Sequence, residues 1–291
     1  MSSRLIRLLK LLAISSIIWA SISSASILVL LSGAPAEVCA FWRLALSIPL
    51  IYILGVFRGE SVLSRAKRHH LVSGVALGLH FIMWMNSLFL LPVYFSTLLV
   101  TIYPLYSLIL DVIVFRRRLS ISQALGLVIC ACLLVIYLEK YEMIFCEGTL
   151  LAAIAGLAAA VYFEVGSYAR FKLGEPTTSY ALNTYLVASL SVMLYALIRG
   201  VDPVGYAPIS YFYFVLMAAV PMVLGHTLMN YLLGYLPAPL VTAISYGEPF
   251  GAGLLAHFIL GQDLGAIKVL LGLTIIATAF ITITGFGKGD S

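Results

Sequence analysis

The chain predicts an all-α membrane protein of ten transmembrane helices, and three features of its 291 residues carry that reading. Hydrophobic residues make up 62% of it and charged residues only 10%, against about 25% charged in an ordinary soluble domain. Its mean hydropathy is +1.08. Its apolar runs are long and unbroken, as in ICACLLVIYL (129–138) and LLAAIAGLAAAVYF (150–163). Crossing a hydrocarbon core takes roughly 20 apolar residues in a helix, because backbone N–H and C=O groups must be satisfied within the segment. A barrel strand would alternate apolar and polar residues instead, and these runs do not.

The spans fall near 11–31, 36–56, 71–90, 93–115 and 120–138, then 148–169, 178–198, 210–234, 238–260 and 264–285. MSSRLIRLLK opens the chain like a signal peptide, but no small-residue cleavage pattern follows, so it reads as the retained start of the first span. The connections are short, which excludes a soluble catalytic domain. They also set an orientation. With both termini in the cytoplasm, the inner loops hold Arg4, Arg7 and Lys10, then Arg58, Arg65, Lys67 and Arg68, then Arg116–Arg118, Arg170, Lys172 and Lys288. The outer loops hold only Lys140, Arg199 and Lys268. The positive-inside bias is strong. It accounts for the net charge of +5, so no nucleic-acid partner is implied; the partners expected are the lipid bilayer and a small-molecule substrate. Cys39, Cys130, Cys132 and Cys146 match no metal or redox spacing, and nothing fixes a Cys39–Cys146 distance. His69-His70, beside Lys67 and Arg68, reads as a solvated interfacial loop.

The two halves, 1–142 and 143–291, resemble each other. LLPVYFSTLLVTIYP (90–104) aligns with YLPAPLVTAISYGEP (235–249) at a shift of 145, so that Pro92 meets Pro237, Thr97 meets Thr242 and Pro104 meets Pro249. LGL recurs at 125–127 and 271–273, one residue off that register. A repeat of five spans enters the membrane from opposite sides in its two copies. The result is an inverted repeat, an architecture of secondary transporters with the substrate site at the midplane.

Polar residues inside the spans point to that site, since an ionisable group there costs at least about 2.5 kcal/mol on insertion scales. Glu248 lies at the centre of span nine, His80 at the centre of span three and Pro104 at the centre of span four. Arg43 is slightly outward in span two, His226 is near the centre of span eight, and Glu164 is about one turn inward in span six. Helical spacing pairs His80 with Trp84, His226 with Asn230 and Glu164 with Tyr168. Trp19, Tyr103 and Tyr246 add aromatic faces that favour cations. The candidate substrate-binding set is therefore Trp19, Arg43, His80, Trp84, Tyr103, Glu164, His226, Asn230, Tyr246 and Glu248. Pro104 and Pro249 are candidate hinges, expected to kink their helices and free carbonyls beside a ligand. Asp111 is expected to pair with Arg116–Arg118. Arg43 reads equally as a residue neutralised by Glu37 or Glu248. Gly74-x3-Gly78 and Gly247-x3-Gly251 read as packing seams.

The five-plus-five spans, the short link between spans three and four, the proline in span four and the Glu-Pro of span nine resemble the drug/metabolite transporter superfamily. Within it the chain is most similar to EamA-like ten-helix proteins, from Trp19 to Gly272. Trp19 and Arg43 match a tryptophan and an arginine common in the family's first two helices. The family usually ends its fourth helix in each half with Gly-Glu; here Phe115-Arg116-Arg117-Arg118 departs and Gly261-Gln262-Asp263 matches in part. The resemblance implies export of an amino acid, a related metabolite or an amphipathic compound.

No Walker A sequence is present, so alternating access would run on gradients, with H+ as the candidate coupling ion. No cofactor or metal is implied. The alternative is an intramembrane lipid-modifying enzyme. It lacks Asp-Asp-x-x-Asp, His-Glu-x-x-His and Gly-x-Ser-x-Gly, leaving only an unsupported Ser245–His226 pairing. The sequence leaves a homodimer open.

Overall fold

A computed structural model describes residues 3–60, 62, 65–115, 120–137 and 146–284. They form ten helical spans. In the first half these are α1 (Ser3–Ser23 continuing as Ala25–Leu31), α2 (Ala36–Phe57), α3 (Arg68–Leu88), α4 (Val93–Ile113) and α5 (Ile121–Tyr137). In the second they are α6 (Glu147–Lys172), α7 (Thr177–Ile198), α8 (Pro208–Leu232), α9 (238–260) and α10 (Ala266–Thr284). Seven of them, α1 to α4 and α6 to α8, are long and apolar enough to cross a membrane by that test alone. The outward faces are apolar, with Phe258 79% and Ile281 71% exposed, as lipid contact requires.

Helix packing has the symmetry expected of the repeat. The contact of α3 with α6 has its counterpart in α8 with α1, and that of α3 with α7 in α8 with α2; α2 meets α7, α4 meets α9 and α5 meets α10. Each pairing survives exchange of helix n with helix n+5. Because five is odd, the two halves run in opposite directions. The halves interlock rather than lie side by side.

Both candidate hinges lie where their helices are interrupted. α4 is broken at Thr101, and Pro104 lies in the first turn of its second piece, Tyr103–Leu110. α9 runs as Ala238–Thr242, a tighter turn over Ala243–Gly247, and a second piece, Glu248–Leu260, with Pro249 in its first turn. Neither proline kinks a continuous helix. Each starts a new one, where its missing N–H is no loss. The breaks lie at repeat-equivalent positions, and α6 can approach the backbone at the first of them because it carries Gly156 there: a Cβ on Gly156 would sit 2.9 Å from the Val100 carbonyl. α8 departs from α-geometry as well, with a π-helical stretch over Ala218–Thr227 around Pro221. Such wide turns often mark functional segments.

The two glycine seams are close contacts. A Cβ on Gly74 would lie 2.6 Å from Val187 and 2.8 Å from the Thr184 carbonyl on α7; one on Gly247 would lie 2.6 Å from Trp19. Replacing Gly74 by Ala is expected to lower the thermal unfolding midpoint, at a cost of about 1–3 kcal/mol, because a backbone carbonyl cannot step aside. Gly78→Ala, with its nearest neighbour at 3.3 Å, should cost less.

Cys39, Cys130, Cys132 and Cys146 are all free. The Asp111 pairing with Arg116–Arg118 falls on residues outside the described set.

Candidate functional site

Where the halves meet, six of the predicted site residues surround one cavity. Arg43 enters from α2, His80 and Trp84 from α3, Tyr103 from α4, His226 from α8 and Glu248 from α9; Ile22, Ala25 and Val100 complete the wall. Tyr103 and Glu248 are mates under the shift of 145, each beside the proline that restarts its helix. The free space is about 10 Å³, room for a single water. In this conformation the site is closed around its own side chains.

Arg43 is 1% exposed. Its Cζ lies 4.2 Å from the centre of the Phe81 ring and 6.0 Å from that of Trp84, a cation–π seat. Its Nε and Nη1 have no hydrogen-bond partner. Among the described residues it forms no ion pair with Glu37 or Glu248. No direct salt bridge from Arg43 to either carboxylate is formed; Arg43 and Glu248 face one cavity.

His80 stacks on Trp84, with centroids 6.1 Å apart and planes 7° from parallel. Its Nδ1 lies 3.0 Å from the Ala155 carbonyl. A carbonyl only accepts, so Nδ1 carries a proton. His226 lies 6.0 Å from His80, and its Nδ1 has no partner, as is also true of the Trp84 indole N–H. Unsatisfied polar atoms are costly in a membrane interior. Here the guanidinium, an indole and an imidazole converge on one space.

The other four predicted residues lie elsewhere. Trp19 packs on Gly247 and Gly251 and borders a second small space with Ile244, Ile276, Ala279 and Phe280. The Tyr246 hydroxyl donates to the Leu127 carbonyl on α5 (3.3 Å). Glu164 accepts a hydrogen bond from Ser107. Asn230, one turn from His226, donates to the Tyr162 hydroxyl at 2.7 Å and to that of Tyr185 at 3.4 Å. Asn230 thus lies next to a buried tyrosine layer and not on the cavity wall.

Sequence reasoning missed that layer and two other features. Tyr162, Tyr180 and Tyr185 are fully buried, and their only signal was a phenol needing a partner inside an apolar helix. Phe81, the shelf under Arg43, looked like any core residue. His69 and His70 are also corrected: they belong to the first turn of α3, where His70 is fully buried. Both bond to Glu175, more than a hundred residues away, at 2.8 and 3.0 Å.

The comparisons agree with this architecture. One solved structure, described as a crystal structure of a protein, is similar over 95% of this chain and 96% of its own, at 19% identity and a TM-score of 0.75; at that identity it shows the fold. No curated protein matches in sequence. The EamA-like transporter family matches twice, over residues 7–138 and 147–284, once for each five-helix half. The chain belongs to the EamA-like transporter family.

Proposed function

We propose that this transporter moves a small zwitterionic or amphipathic metabolite, such as an amino acid or a relative of one, outward across the cytoplasmic membrane by alternating access coupled to H+. The observation that carries the reading is Arg43 and Glu248 on one closed cavity with no ion pair between them. A bilayer interior penalises such groups, so their retention implies a solute that satisfies them: a carboxylate for Arg43 and an ammonium for Glu248, with Trp84 and Tyr103 as aromatic walls. The halves, taken as 1–142 and 143–291, would rock about this site with both termini cytoplasmic, as the loop charges favour.

The lipid-modifying alternative draws no support from the geometry. Ser245 Oγ donates to the Thr242 carbonyl at 2.7 Å, so no Ser–His pair is formed with His226.

A thermal-shift screen of the purified protein tests the proposal, since a ligand of the folded state raises its unfolding midpoint by mass action. Zwitterions should raise the midpoint and cross into sealed vesicles chemically unchanged. Stabilisation by uncharged solutes alone, or recovery of an altered product, would overturn it.

A further inference from the structure

The His69–His70–Glu175 cluster joins the two halves at the face that bears the N-terminus. Glu175 immediately precedes α7, after α6 has ended. His69 Nε2 lies 2.8 Å from its Oε2 and His70 Nε2 3.0 Å from its Oε1, and Ser179 Oγ donates to Oε1 at 3.3 Å. Two imidazoles and a carboxylate within 4.8 Å of one another have the make-up of a divalent-metal site. The tautomer argues otherwise. The Lys67 amide donates to His70 Nδ1 at 3.0 Å, so Nδ1 is the lone-pair nitrogen and Nε2 carries the hydrogen. A metal on Nε2 needs the opposite arrangement, with the other nitrogen donating.

The cluster is therefore built as a hydrogen-bonded clasp. α3 runs from His70 up to His80, about 15 Å at helical rise, and on to Trp84, so the helix that carries the clasp also walls the cavity. Further bonds across the halves lie beside it: Ser73 with Tyr180, and Thr178 Oγ1 to Glu60. We propose that the His69–His70–Glu175 clasp is the inner gate of the transport path, made in the conformation seen here and released when the cavity opens to the cytoplasm. This rests on the alternating-access reading above.

The clasp is set to hold at cytoplasmic pH. Burial pushes the Glu175 carboxyl up, but the bonds from His70 and His69 outweigh it and hold it at about 2, below its ordinary 4.5. A carboxylate with a depressed pKa stabilises the clasped form fully above pH 4.5, and loses that effect as pH falls through about 2. The other charged or titratable neighbours are Tyr180 on α7, Arg170 at the end of α6, and Arg58 and Glu60 after α2. Opening therefore has to come from helix movement.

Access to a cysteine at Ala25, on the cavity wall, tests this without any solute. In a background with Cys132→Ser and Cys146→Ser, an impermeant maleimide is applied to inside-out and right-side-out vesicles. Glu175→Gln should raise cytoplasmic-side labelling about tenfold, the order one hydrogen bond to a charged group is worth. His69→Arg, which carries a permanent charge, should slow it several-fold at the same pH. Equal labelling in all three proteins would overturn the gate, and so would an increase from both sides, which marks general loosening. If Glu175→Gln fails to fold, His69→Arg alone decides. Because no solute is present, the gate can fail while the transport reading stands; failure of the thermal-shift screen leaves the labelling result intact.

Discussion

Replacing Arg43 by Met should leave the protein folded and about as stable, while abolishing both solute-induced stabilisation and transport. A charge at the bilayer centre costs roughly 2.5–3.5 kcal/mol on insertion scales. The seat on Phe81 and Trp84 returns about 2 kcal/mol or more when dry. The two nearly cancel, so a methionine of similar length changes stability by only about 1 kcal/mol. Binding behaves differently. Losing one partner of a buried charge pair typically costs about 2–5 kcal/mol, which is roughly thirtyfold to several-thousandfold in affinity. Arg43→Lys keeps the charge and loses the planar fork, so it should fall between. Melting curves with and without solute decide the matter. A large drop in intrinsic stability with binding intact would make Arg43 a structural residue and remove the central argument for a zwitterionic cargo.

Glu248→Gln should abolish uptake driven by an imposed pH difference and leave solute exchange at equal pH partly intact. The side chain opens the second piece of α9 and faces the cavity with no ion pair to Arg43. One carboxylate can hold a proton or the cationic end of a solute, but not both. In the proposed mechanism, that mutual exclusion couples two opposite fluxes. Glutamine mimics the protonated form and cannot alternate, so the empty carrier still reorients and exchanges while the pH gradient does no work. The measurement is accumulation of labelled solute in proteoliposomes with and without the gradient. If the glutamine variant still concentrates solute under the gradient, Glu248 is not the proton site and the coupling mechanism falls.

Most of the architecture was legible before any coordinates, because lipid imposes rules that act on the chain locally. Span length follows from bilayer thickness, and a polar residue within a span is conspicuous against an apolar background. Arg43, His80, Trp84, Tyr103, His226 and Glu248 were all visible on those grounds, and all six line the cavity. The prolines were visible too, and both helices are interrupted beside them; whether a helix bends or restarts at such a proline depends on what packs against the break.

What the linear chain determined, then, was membrane character, ten spans, an inverted pairing of halves and most of the polar residues that line the cavity, since each is a property of composition or of spacing along one helix. Tertiary structure alone decided rotation and partnership. It put Trp19, Glu164, Asn230 and Tyr246 outside the cavity, set Arg43 and Glu248 on it together without a direct salt bridge, seated Arg43 on Phe81, and brought His69 and His70 to Glu175. The reason is that helical periodicity repeats every 3.6 residues without saying which neighbour a face meets. That choice is made by small residues such as Gly74 and Gly156, whose missing side chains let a neighbouring backbone carbonyl approach, and Gly247, against which Trp19 packs.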